Sequence, residues 1–247
     1  MAWGKIDVRN HPRIAVITFG LILGGLVQPA AGDPLRLGST APGQPVVITY
    51  SYSNLLDGTF LLMEPALLRA ATEEALGLWA AFAPLHFVEQ PDSGPPASDG
   101  SYPASGTPQI RIGHHPTVTA AHAFYPNDVD GLGGDIHLDS GGAWNLGDGP
   151  WNFLETITHE LGHSLGLDHE LDVLAIMNPF YPQQRFTSLG TGFLYPADIE
   201  QLRSIHGSGR GSVTPLDPTP EPGTLLLTAS GIALLAYRRR RSAGRSG

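Results

Sequence analysis

An α+β fold is predicted by three features of this 247-residue chain. Its β-rich segments all lie before Ser140, one early helical pattern interrupts them, and two further helical patterns follow them. Strands gathered ahead of helices are the arrangement of an α+β protein, not of a regularly alternating parallel sheet.

Each element has its own signal. Residues 45–53, PVVITYSYS, alternate and are β-rich, which predicts a strand. Residues 64–82 predict a helix: Pro65 suits a first turn, and Leu68, Ala71, Ala75, Leu78 and Phe82 recur at three- and four-residue spacing. Pro84 ends it, and LHFVE at 85–89 is the second strand. Residues 91–108 are rich in Pro, Gly and Ser and predict a mobile loop. Three more strands are predicted at 109–113, 119–125 and 133–139, and two helices at 151–165 and 196–206. There is no internal repeat.

Composition narrows the chemistry. A hydrophobic content of 41% with 15% charged residues fits a globular protein. The absence of cysteine excludes disulfides and thiolate ligands, so any metal must rest on histidine and carboxylate. Residues 32–221 hold 22 acidic side chains against 6 arginines and no lysine, a balance of −16. Such a surface repels phosphate backbones, and no nucleic acid partner is expected.

Both ends read as sorting segments. Lys5, Arg9 and Arg13 precede an apolar run at 14–27 and small residues at Ala30, Ala31 and Gly32, the order of a secretory signal cleaved near residues 30–33. At the other end Pro220-Glu221-Pro222 is followed by an apolar stretch at 225–236 and by Arg238 to Arg241. This order resembles the PEP-CTERM sorting signal of Gram-negative bacteria. The resemblance implies an exosortase-like processing enzyme and transient membrane association through the C-terminal segment; a plain membrane anchor is the alternative. The expected organisation is a signal peptide at 1–31, one domain at 32–207, a flexible linker at 208–219 and a sorting segment at 220–247, in a protein exported to the medium or the cell surface.

The densest chemistry lies in HELGHSLGLDH, residues 159–169. In a helix His159 and His163, four apart, lie on one face and can share one metal ion. His169 is off that face, so the helix must end and the chain turn back, which Gly166 permits in the left-handed conformation. Three nitrogens with an open fourth position describe a catalytic zinc. Zinc lowers the pKa of its water to about 7, and Glu160 is placed to take the water's proton and pass it to a leaving amine. The motif is specific, because surface histidines have no reason to keep this spacing with a glutamate between them.

The extended motif, followed by AIMNPFY at 175–181, resembles the metzincins, with Met177 as the packing methionine of the Met-turn. AHAFYP at 121–126, GGDIHLD at 133–139, ALGLWAAFAPLHFVE at 75–89 and YPADIEQLRSIHG at 195–207 resemble the matrixin branch. Astacins fit less well: they need disulfides, and they place a tyrosine where this chain has Pro179. The matrixin resemblance implies a twisted five-stranded mixed sheet with three helices. It also implies an extended substrate on the strand carrying Ala121 and Ala123, and a pocket wall containing Pro179 and Tyr181. A second, structural zinc is implied on His122 and His137, with His114 or its neighbour His115 in the first position. Calcium is implied on Asp135 with backbone near Gly131 and Gly133. The chain departs from the family in lacking the aspartate of the structural zinc, the glutamate after HLD and the cysteine of the latency switch.

These features together predict a secreted zinc-dependent endopeptidase acting on extracellular or surface proteins. The alternative is a non-catalytic zinc-binding surface or adhesion module of a biofilm matrix. Glu160 favours the enzyme, because binding alone needs no general base.

Overall fold

Seven strands form one sheet in the order β1-β5-β6-β4-β2-β3-β7 in a computed structural model of the chain. They are β1 (Ile14–Val16), β2 (Val46–Tyr52), β3 (Leu85–Glu89), β4 (Ile110–His115), β5 (Ala121–Phe124), β6 (Ile136–Asp139) and β7 (Ser212–Thr214). The helices are α1 (Pro65–Ala80), α2 (Phe153–Ser164) and α3 (Pro196–His206). The structure describes residues 36–37, 41–60, 63–92, 94–98, 108–117, 119–127, 131–147, 151–171, 174–179 and 185–216, and the backbone of 14–16. The remainder of the expected signal peptide and all of the sorting segment lie outside the described residues.

The five predicted strands form the centre of the sheet. β2 pairs in parallel with β3 and β4, and β4 in parallel with β6. β5 runs antiparallel to β6 and makes the sheet mixed. β1 adds to the outer edge of β5 antiparallel, and β7 to β3 in parallel. The β7 pairing corrects the expected flexible linker at 208–219. Ser212 to Thr214 dock beside His86 to Val88, and the Gly211 N–H donates to Ala80 O at 2.8 Å. A Gly- and Ser-rich composition concealed a strand attached mainly by its backbone ladder, with Ser212 Oγ 3.0 Å from His86 Nδ1 and Val213 packed on the core. The mobile loop expected at 91–108 is likewise anchored at its start. Arg111, fully buried, pairs with Asp92 at 2.8 Å and also donates to Pro95 O.

Helix α1 buries Leu68, Ala71, Ala75, Leu76 and Trp79, close to the predicted stripe. Trp79 Nε1 donates to Thr158 O at 3.0 Å, fixing α1 against α2. Every residue of α2 is buried. The core runs from Ile48, Tyr50, Phe87, Ile112 and Leu138 of the sheet to Phe153, Ile157 and Leu161 of α2. The described residues up to Thr214 form one compact unit. No helix among the described residues is long and apolar enough to cross a membrane.

Candidate metal centre

Asn152 starts α2: its side chain accepts from Glu155 N–H at 3.0 Å and its amide donates to Phe186 O at 2.7 Å. The helix continues through His159 and His163 and stops at Gly166, where φ is 94°. The N–H groups of Gly166 and Leu167 fold back onto His163 O and Gly162 O, both at 2.9 Å. That turn returns the chain so that His169 faces the other two imidazoles.

The three Nε2 atoms form a small triangle. They stand 3.1 Å apart for His159 and His163, 3.1 Å for His163 and His169, and 3.3 Å for His159 and His169. Nitrogens at about 2.0–2.1 Å from one tetrahedral zinc stand roughly 3.3–3.4 Å apart, so the triangle is of zinc size. The other ring nitrogens decide what fills it. His159 Nδ1 donates to Ile176 O at 2.7 Å and His163 Nδ1 donates to Leu167 O at 2.8 Å. Their Nε2 atoms therefore carry lone pairs that point at each other, an arrangement relieved by a cation and not by a hydrogen bond. Burial keeps these rings unprotonated, lowering His159 to about 3, His163 well below the ordinary value, and His169 to a lesser degree.

Glu160 is fully buried, and among the described residues neither carboxylate oxygen has a hydrogen-bond partner. Burial alone raises its pKa well above the ordinary carboxylate range. A scaffold carboxylate would be paired, so an unpaired one points to a role with a ligand.

Met177 lies under this centre. A Cβ built on Gly162 would collide with Met177 Sδ, so glycine is required where helix and turn touch. The turn is held by Asp198, whose carboxylate accepts from Ile176 N–H at 2.9 Å, Met177 N–H at 3.0 Å and Tyr195 N–H at 2.9 Å. Pro179 is half-buried just beyond the turn, and Tyr181 lies outside the described residues. Ala121 and Ala123 occupy β5, buried in the core, and the strand lies between β6 and β1, with Ala123 opposite Ala15.

A second cluster joins His115, His122 and His137, whose ligand atoms all lie within 4.8 Å of one another. His115 Nε2 is 3.2 Å from His137 Nδ1, and the His122 and His137 rings are 5.0 Å apart. This corrects the assignment of His114. Sheet register supplies the reason: His137 lies opposite Gly113 on β4 and opposite His122 on β5. Side chains two apart on a strand share a face, so His115 joins His137 and His114 projects the other way. There the His114 ring lies 5.0 Å from that of Phe60 at a tilt of 57°, and its Nε2 is 3.2 Å from Thr59 Oγ1. Among the described residues no carboxylate joins either cluster.

Asp135 is buried, with Oδ1 accepting from Arg111 N–H at 3.0 Å and Oδ2 unpartnered, and burial raises its pKa to about 8. Gly131 and Gly133 lie half-buried in the preceding turn. An orphaned carboxylate oxygen beside a backbone turn fits a hard cation, although one carboxylate is a small donor set for calcium.

Some neighbours carry little sequence signal. Tyr125 lays its ring 5.5 Å from that of His163, and its hydroxyl donates to Asp168 Oδ1 at 3.0 Å. Its place directly after AHAF was the one available hint. Glu155 and Arg185 belong to no motif, and Asp198 lies within the 195–207 segment without a role assigned to it there.

Two histidines of α2 and a third from the turn after it, set around one cation position with a buried glutamate of the same helix that has no hydrogen-bond partner among the described residues, define a metal-dependent hydrolytic centre. The chain belongs to the matrixin family of zinc metalloendopeptidases, whose sequence profile matches residues 44–207. It is 34% identical over 151 residues to human (Homo sapiens) matrix metalloproteinase-20, covering 56% of this chain and 27% of that protein. It is 33% identical over 178 residues to interstitial collagenase of Sus scrofa, covering 67% and 34%. It is 34% identical over 185 residues to human matrix metalloproteinase-16, covering 70% and 28%. The chain thus spans about a quarter to a third of the length of these relatives.

Proposed function

We propose that the chain is an exported zinc-dependent endopeptidase that hydrolyses peptide bonds of extracellular or surface proteins. One observation carries the reading: the buried Glu160 carboxylate, without a hydrogen-bond partner among the described residues, between two histidines whose Nε2 lone pairs converge with that of His169. His159, His163 and His169 hold zinc. When bound, zinc supplies a water acidic enough to lose its proton near neutral pH and polarises the scissile carbonyl. Glu160 accepts a proton of the attacking water as its oxygen adds to the carbonyl carbon, then delivers that proton to the amine nitrogen as the C–N bond breaks, so no net proton is consumed in the transfer. Substrate adds as a strand to the outer edge of β5 along Ala121 and Ala123, with Pro179 and Tyr181 walling the pocket beyond the cleaved bond. That β1 pairs antiparallel on this edge supports its readiness to accept an extended segment.

His115, His122 and His137 hold a second zinc that braces β4, β5 and β6, with a water or an outside group as fourth ligand. Calcium on Asp135 and the 131–133 backbone is part of the same proposal. Residues 1–31 direct export, and the segment at 220–247 is a PEP-CTERM-type signal cut by an exosortase-like enzyme at the surface of a Gram-negative bacterium. Loss of both ends leaves the domain at 32–207 with its docked β7.

The test is hydrolysis of a denatured protein with and without chelator, together with zinc content. Chelator-sensitive cleavage restored by zinc is expected. Zinc bound at the three-histidine centre without any hydrolysis would overturn the enzymatic reading in favour of a binding module. Intact mass from the native host should show both ends removed; a mature chain extending to Gly247 refutes the processing.

A further inference from the structure

Helix α2 presents Glu155, His159 and His163 at four-residue intervals on one face. Glu155 is buried one turn before the first histidine. Its two oxygens accept from Arg185, one from the backbone N–H and one from the side-chain Nε–H, each at 2.9 Å. Arg185 has a further N–H, on Nη1, which it donates to Ala175 O. Ala175 immediately precedes Ile176, whose carbonyl receives the Nδ1–H of His159. On the other side of that carbonyl, Asp198 holds the N–H groups of Ile176 and Met177.

A cation beside a zinc ligand works against the metal's own charge unless it is neutralised. A buried ion pair is also a poor device for stability alone, because well-packed apolar residues do as well or better. What the pair has that an apolar substitute lacks is a directed N–H at Ala175 O. We propose that Glu155 and Arg185 form a positioning clamp for the ligand His159. Glu155 neutralises and orients the guanidinium, Arg185 fixes the Ala175 carbonyl, and the next carbonyl, Ile176, stays aimed at His159 Nδ1. The ring is thereby held in the tautomer and orientation that point its Nε2 at the metal. Groups that orient a ligating histidine from outside typically contribute 10–100-fold to metal affinity. The clamp rests on the reading that the three histidines hold zinc.

The test uses the purified full-length chain and two variants that keep the fold for different reasons. E155L/R185L removes both charges with little change in bulk. Arg185→Lys keeps the pairing with Glu155 but has no second, rigidly spaced N–H for Ala175. Two quantities are read: zinc retained across a series of buffered free-zinc concentrations, by elemental analysis, and the melting temperature of metal-free protein. The relevant zinc is the equivalent that His163→Ala abolishes. Both variants should need at least about 10-fold more free zinc to retain it. Their metal-free melting temperatures should stay within about 5 °C of wild type. Retention within twofold of wild type in both variants overturns the clamp and leaves the three-histidine centre standing. A wild-type chain with no zinc sensitive to His163→Ala overturns the centre itself.

Discussion

Glu160→Gln separates binding from chemistry in the proposed mechanism. The amide matches the carboxylate in size, so the packing around α2 and the three imidazoles are undisturbed and zinc content should be unchanged. The proton acceptor is gone. General bases contribute about 10²- to 10⁴-fold, or roughly 2.7–5.4 kcal/mol of barrier at 1.36 kcal/mol per tenfold. Among the described residues no hydrogen bond supports either oxygen, so no neighbour there is placed to relay the proton in its stead. The same isolation predicts a gain in stability. Burial raises the Glu160 pKa, so the folded state binds a proton that the unfolded state has released, and stability is lost as pH rises above the unfolded value near 4.3. Removing the titrating group should make metal-free Glu160→Gln more stable than wild type at pH 8 by about 1 kcal/mol or more, with the gap closing near pH 4. Denaturant unfolding without metal and turnover at saturating zinc measure the two halves. Turnover within tenfold of wild type at full zinc would remove Glu160 from the chemistry. A metal-free variant less stable than wild type at pH 8 would refute the account of its burial.

Three further outcomes are expected. The purified domain should hold about two zinc ions per chain, and replacing His122 and His137 together should remove one, while His114→Ala leaves both; a single zinc untouched by the double replacement rejects the second cluster. Asp198→Ala strands three backbone N–H groups in the interior and should cost roughly 3–5 kcal/mol in denaturant unfolding, a loss under about 1 kcal/mol being inconsistent with its three bonds. Asp135 has a folded pKa raised to about 8, so metal-free stability should fall as pH rises from about 4 to 8, by up to about 1.4 kcal/mol per unit. The buried histidines, with lowered pKa values, push stability the other way below about pH 6.5, so the clean reading is the difference between wild type and Asp135→Asn, and an unchanged pH slope between them discounts the group.

The legible parts of this protein are those whose information is local. Residues 159–169 form one helix end and one turn, so the spacing of three histidines and Gly166 contains nearly the whole geometry. The five central strands and three helices were readable for the same reason, since alternation and three- to four-residue spacing act over a few residues. The choice between His114 and His115 was not readable, because adjacent strand residues face opposite ways and only the pairing of β4 with β6 selects one. β7 was hidden because a three-residue strand attached mainly through its backbone ladder lies in a segment with linker composition. Arg111 with Asp92, and Arg185 with Glu155, are separated by 19 and 30 residues, and no spacing rule joins them.

Three buried acids around the centre show how a fold distinguishes scaffold from chemistry. Asp198 accepts three backbone N–H bonds, and Glu155 accepts two from Arg185. Each is saturated, and each holds a piece of chain that in turn holds His159 or Met177. Glu160 sits in the same helix as Glu155, is more completely buried, and its carboxylate has no hydrogen bond among the described residues. Leaving a carboxylate in that condition costs folding free energy, which packing alone would have removed by any apolar residue of similar size. The two kinds of acid depend on each other. The saturated pair fixes the imidazoles so that a metal's water has one place to stand, and the unsaturated one is useful only if that place does not move. On this argument the effects of the clamp and of Glu160 on turnover are not additive. A chain lacking the Arg185 N–H to Ala175 should lose less to Glu160→Gln than the wild type does, because a base cannot be missed by a water that is no longer held in front of it.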